Sequence, residues 1–257
     1  MRKALIAGNW KMYKTPEESV QFVREFLQQL TPRSEREVLI CPPATSLGVL
    51  KPLLEKSPVH LGAQNVSPED EGAFTGEISA RMLKASGAEY VICGHSERRN
   101  IFGETDELVN RKVKQTLKYG LKPILCVGEK LEEREAGKTW TVIQKQLSAG
   151  LTGITREQAA EVVIAYEPVW AIGTGKNATP QVAEEVHQSI RNFLEERFGR
   201  EIAETATILY GGSVKPENID ELMAEADIDG VLVGTASLTV PSFLRIVNYQ
   251  SKSQAGR

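Results

Sequence analysis

Three reactive side chains stand just past apolar runs: Lys11 after ALIAGNW, His95 after YVICG and Glu167 after VVIAY. A carboxylate at the end of a greasy run suits a general base, because partial loss of water raises its basicity. An imidazole between an apolar run and a helix start can accept a backbone N–H at one nitrogen and donate from the other, which keeps it neutral. His60 lies inside a strand run and His187 on a helix face, so His95 alone among the histidines meets this polar boundary. The residues by themselves leave Lys11 open between a solvated surface lysine and a charge facing an anionic substrate.

Glycine-rich turns accompany them: Ile172-Gly173-Thr174-Gly175, Tyr210-Gly211-Gly212-Ser213 and Val233-Gly234-Thr235. Glycine lets backbone N–H groups approach an anion closely, and a phosphate dianion suits several such donors. Any one of these turns is weak as a signal. Together they suggest a phosphate pocket. No GxGxxG or GxxxxGK[ST] occurs, so a nucleotide cofactor is not supported, and no spacing of His, Cys and carboxylates suggests a metal.

The elements that must position these groups are legible as well. The runs ALIAGN, VLICP, VHLGAQN, YVICGHS, PILCVGE, VVIAYEP, TILYGGS and GVLVGT are rich in Val, Ile and Leu without clean alternation, as in strands covered on both faces. Helical patterns lie between most of them, such as Pro16 to Leu30 and Asp106 to Tyr119. Asp106 and Asn218 read as helix N-terminal residues, and Pro180 and Pro241 suit first turns. Strand followed by helix, repeated about eight times in 257 residues, predicts an α/β fold of parallel strands. This density favours one closed (β/α)8 barrel over an open doubly wound sheet. The chain reads as a single domain over 1–257, with a frayed tail at 251–257. In such a barrel, the polar ends of the runs share one rim, where barrel enzymes keep their chemistry.

A net charge of -3 implies no basic face, so neither nucleic acid nor a membrane surface is an expected partner. The short apolar run at the N-terminus is no signal peptide, and no stretch approaches a membrane span, so a cytoplasmic location is expected. Cys41, Cys93 and Cys126 each close an apolar run and read as buried free thiols.

GNWKM, QNVSPEDEGAFTGEIS, YVICGHSERR, AYEPVWAIGTGK, YGGSV and LVGTASL, in this order across the chain, resemble the triosephosphate isomerases. The resemblance implies a TIM barrel that interconverts dihydroxyacetone phosphate and glyceraldehyde 3-phosphate through an enediolate, without cofactor or metal. Glu167 would be the base, His95 the neutral proton donor, and Lys11 a balancing charge. Asn9, Lys11, Gly173, Ser213, Gly234 and Thr235 would bind the triose phosphate. Ser96, Glu97 and Cys126 would support the catalytic groups from behind, with Glu97 touching Lys11. Pro168, Val169, Trp170, Ala171, Ile172, Gly173, Thr174, Gly175 and Lys176 would form a lid. A homodimer is implied, with Gln64, Asn65, Phe74, Thr75 and Gly76 at its interface. The family commonly has two glycines where this chain has Gly234-Thr235. A β-branched residue resists positive φ, so this turn should use ordinary backbone angles. Two other readings compete: another phosphate-binding barrel such as a Schiff-base aldolase, and a catalytically silent dimeric scaffold. The first needs a lysine inside a strand, and the runs offer only Lys122 at the start of one.

Overall fold

The computed structural model describes residues 2–171 and 178–250. The tail at 251–257 lies outside them. Strands β1 (Ala4–Asn9), β2 (Arg36–Cys41), β3 (Val59–Ala63), β4 (Tyr90–Cys93), β5 (Lys122–Val127), β6 (Val163–Tyr166), β7 (Ile208–Tyr210) and β8 (Gly230–Val233) pair in chain order, and β8 closes on β1. Every pairing is parallel. The expected closed barrel is what forms.

Unbroken apolar runs become strands here because both faces are dry. Leu5, Ala7, Leu39, Cys41, Ile92, Ile124, Cys126, Ala165, Leu209 and Leu232 fill the barrel interior. Their neighbours Ile6, Val38, Ile40, Val91, Leu125, Ile164 and Val231 join the layer beneath the helices. The alternation is one of direction, not of polarity.

The helices start where their caps dictate. Pro16–Gln29 opens on a Thr15/Glu18 capping box and buries Phe22, Val23 and Phe26 against the barrel. Asp106–Lys118 is capped by the Thr105 side chain, so Asp106 occupies the first helical position and adds its charge to the positive end of the helix dipole. Pro180 opens Pro180–Phe198, and Pro241 sits in the first turn of Val240–Val247. Phe26 lies between the rings of Phe22 and Phe243, at centroid distances of 5.9 and 5.3 Å. Truncating it to alanine would remove about 3–5 kcal/mol.

Between β3 and β4 the chain runs without helix or strand until Ala80–Ala85. Asp70 ties this long segment to the helix below it by accepting from Gln115 at 2.6 Å and Tyr119 at 2.8 Å. All three thiols are free and buried, as expected.

His187 is buried within Pro180–Phe198. Its Nδ1 lies 3.1 Å from the Asp227 carbonyl, which can only accept, so Nδ1 carries the proton; Nε2 is buried without a partner. Burial pushes the His187 pKa down from 6.5 to about 4. Between these values the unfolded chain binds a proton that the folded one refuses. Stability is therefore highest above pH 6.5 and falls with pH toward 4, by up to about 1.4 kcal/mol per unit from this group. In urea titrations, His187→Gln should flatten the loss of stability between about pH 6.5 and 5, above the carboxylate range. An unchanged slope would assign that loss to other groups.

Candidate active site

Strand alternation delivers most of the mouth of the barrel. Val163 and Ala165 point inward, so Glu167 does too; Leu5 and Ala7 predict Asn9, and Leu209 and Leu232 predict Gly211 and Gly234. His95 is out of phase with Tyr90 and Ile92. Gly94 corrects it with a φ of +70°, a conformation where any Cβ would also lie 2.7 Å from Val109 Cγ2. A single glycine thus turns the imidazole into the mouth. The result is a cavity of about 410 Å³ lined by Asn9, Lys11, His95, Glu167, Gly211, Ser213, Gly234 and Thr235, among others.

Glu167 is buried, and its Oε1 stands 2.9 Å from His95 Nε2. Ser96 donates its backbone N–H to Oε2 at 2.9 Å and its hydroxyl to Oε1 at 3.3 Å. Gly211 leaves room for this rotamer, since a Cβ there would lie 2.8 Å from Glu167 Cγ. Burial raises the Glu167 pKa, but His95, Ser96 and Cys126 together outweigh it, and the net shift is downward. This corrects the expectation that desolvation leaves Glu167 a strengthened base. In this arrangement the carboxylate is held ionised by its donors.

For His95, burial depresses the pKa while the Glu167 carboxylate raises it, and the balance lies above the ordinary value. Hydrogen-bond geometry decides the protonation state. The Glu97 backbone N–H donates to His95 Nδ1 at 3.2 Å, so that nitrogen presents a lone pair. The ring is then the neutral Nε2–H tautomer, donating to Glu167. Cys126 is also pressed against Glu167; burial first, then the carboxylate, push its thiol well up, so it stays protonated.

Lys11 extends its ammonium to Glu97 Oε1 at 2.6 Å, the contact expected. Its backbone φ is +51°, a conformation costly for a residue with a Cβ, on the order of 1–3 kcal/mol. Two side chains hold it there. Asn9 Oδ1 accepts the Lys11 N–H at 3.0 Å, and Gln64 Nε2 donates to Lys11 O at 2.8 Å and to Cys41 O at 2.9 Å. Gln64, assigned by resemblance to a subunit interface, spends its amide inside the chain. Asn65 likewise accepts from Lys112 at 2.8 Å. Phe74, Thr75 and Gly76 stay exposed.

Across the cavity, Thr235 opens a 3-10 turn with negative φ, as its branched side chain requires; Lys11 and Lys14 are the positive-φ residues other than glycine among the described residues. Of the lid, Val169–Ala171 forms a 3-10 turn, and Ile172, Gly173, Thr174, Gly175 and Lys176 lie outside the described residues. Gly173 as a phosphate ligand therefore has no structural account.

Sequence reasoning passed over two further residues. Glu129 is fully buried and receives Trp170 Nε1–H at 2.9 Å and the Tyr166 hydroxyl at 3.2 Å. The signal was the indole itself, which needs an acceptor when it is taken out of water. Arg99 clamps the exits of β4 and β5 by donating to Gly94 O at 2.9 Å and Cys126 O at 3.1 Å, with Asp106 pairing its remaining nitrogen at 2.6 Å. No group of three or more metal-ligating side chains occurs among the described residues.

The family model for triosephosphate isomerase matches residues 4–250. The triosephosphate isomerase of Carboxydothermus hydrogenoformans is 60% identical over 247 residues, covering 96% of this chain and 98% of that protein. The enzyme of the same name from Chloroflexus aurantiacus is 56% identical over 250 residues, covering 97% of this chain and 100% of that protein. That from Roseiflexus castenholzii is 54% identical over 254 residues, covering 99% and 100%.

The clamp on Lys11 is open to test. Gln64→Ala frees the Lys11 carbonyl and lets its backbone relax toward negative φ. Steady-state turnover should then fall roughly tenfold in kcat/KM, about 1.4 kcal/mol of transition-state stabilisation. Unchanged kcat/KM would mean that Asn9 and Glu97 suffice to hold Lys11.

Proposed function

The chain belongs to the triosephosphate isomerase family and interconverts dihydroxyacetone phosphate and D-glyceraldehyde 3-phosphate, a step of glycolysis, and we propose that Glu167, His95 and Lys11 carry the reaction. The carrying observation is that Glu167 and His95 meet at 2.9 Å in a cavity that Lys11 also lines. Glu167 removes the proton next to the carbonyl and returns it to the neighbouring carbon. Neutral His95, with its proton on Nε2, donates to the substrate oxygens as negative charge develops on them. Lys11 offsets that charge, and Asn9 helps place the substrate. Ser213, Gly234 and Thr235 take the phosphate through backbone N–H groups, at the exits of β7 and β8 where barrels commonly bind it.

No one group is sufficient. A general base contributes roughly 10²–10⁴-fold, or about 3–5 kcal/mol, against the ~8 kcal/mol or more by which enzymes lower barriers. Charge stabilisation by His95 and Lys11 supplies about 3–4 kcal/mol more. The remainder falls to positioning and to phosphate binding energy.

We propose further that the working form is a cytoplasmic homodimer. Met12, Ile101 and Phe102 are 94%, 73% and 67% exposed, and Phe74 is 47% exposed in the long segment after β3. Met12 and Phe102 border a second cavity of about 330 Å³ that also reaches Lys11, His95 and Glu97. A second copy would cover these side chains and bring its Thr75 near the site. Three unpaired buried thiols suit a reducing compartment, and among the described residues no helix is long and apolar enough to cross a membrane.

Two measurements test these assignments. Glu167→Gln should keep inorganic phosphate as a competing ligand while kcat falls by roughly 10²–10⁴; near wild-type turnover would remove Glu167 as the base. Sedimentation at assay concentration should show dimers, and a fully active monomer would contradict that assembly.

A further inference from the structure

Asn218 stands at the cap position of the short helix Ile219–Leu222, yet its side chain makes no capping bond to that helix. It turns back instead. Its Nδ2 donates to Ser213 O at 2.9 Å, and its Oδ1 accepts the Lys215 N–H at 2.8 Å. Its backbone N–H adds a bond to Lys215 O at 3.2 Å. One amide side chain thereby holds both peptide planes that flank Val214. Because a trans peptide sets its C=O and N–H antiparallel, pinning the Ser213 carbonyl also fixes the direction of the Val214 N–H.

Gly211, Gly212, Ser213, Val214 and Lys215 line the cavity consecutively. With its two glycines, this stretch has the backbone freedom to lose its shape, and no strand or helix includes it. We propose that Asn218 is a positioning residue for phosphate recognition: it preorders the turn after β7 so that its backbone donors face the phosphate before substrate arrives. The inference rests on the reading that this turn binds phosphate. Its consequence is specific. Loss of preorganisation weakens the binding of substrate and transition state alike, so KM rises and kcat holds.

The test compares Asn218→Ala and Asn218→Asp with the wild-type enzyme. The readouts are KM for glyceraldehyde 3-phosphate, inhibition by inorganic phosphate, kcat and thermal melting. Aspartate keeps the acceptor for Lys215 and is as good a helix cap as asparagine, but cannot donate to Ser213. Both variants should raise KM and the phosphate inhibition constant together by roughly five- to tenfold (about 1–1.4 kcal/mol), with kcat within about twofold. Unchanged constants in the alanine variant, a fall in kcat without a rise in KM, or a defect confined to the charged aspartate variant would each overturn the proposal. Inorganic phosphate failing to compete in the wild-type enzyme would instead overturn the phosphate reading itself.

Discussion

A carboxylate taken out of water must find donors, and the mouth of this barrel is organised around that requirement. Glu167 is almost fully buried, and an unpaired charge there would be prohibitively unstable. Most of its donors come from the exit of β4, namely the imidazole of His95 and the backbone N–H and hydroxyl of Ser96, with the Cys126 thiol of β5 beside them. Strands β4 and β6 are not neighbours, since β5 lies between them. Only a closed and tightly curved sheet brings their ends within hydrogen-bond reach across the interior. Arg99 strengthens the same geometry by tying the exit of β4 to the exit of β5.

The same donors restrain the chemistry. By favouring the ionised form they hold Glu167 below the ordinary carboxylate range, whereas a general base works best with a pKa nearer the operating pH. The His95 Nε2 proton is likewise engaged by the carboxylate and not free for a substrate oxygen. A substrate that inserts between the two groups changes both at once. In the proposed reaction it would set a substrate C–H bond against Glu167 in place of the His95 contact and take over the imidazole proton. With the His95 contact removed, burial, the largest influence on Glu167, would meet less opposition, and the proposed base would be strengthened as substrate binds.

Much of this could be read from residue order. Apolar runs ending in polar residues gave the strands and the rim; the inward placement of Asn9 and Glu167 follows by alternation only once the inward-facing strand residues are known. His95 was identified by chemistry, while its inward turn depends on the backbone angle at Gly94, which no periodicity encodes. The clamp on Lys11 was hidden for a related reason. Gln64 lies 53 positions from Lys11 and meets it only because β1, β2 and β3 pair side by side. The lowered pKa of Glu167 was illegible too, since it is a sum of opposing influences set by distance, and residue types alone supplied just the desolvation part.

Lys11 shows how the structure assigns strain. Its positive φ weakens the folded chain, and alternation alone, continued from Leu5, Ala7 and Asn9, would already place residue 11 on the inner side. What the unusual conformation adds is a set direction. With Asn9 on its N–H and Gln64 on its carbonyl, the backbone of Lys11 loses its choice, and the ammonium meets Glu97 from one approach. A flexible lysine would lose much of its charge effect to side-chain freedom and hydration. A lysine launched from a fixed backbone and paired at 2.6 Å carries that cost in the fold, before any substrate binds. The contrast with the phosphate side is informative. There the proposed ligand is a rounded dianion that backbone donors could share, so ordinary angles at Thr235 would suffice; a single point charge proposed to act beside a planar enediolate would have to be aimed.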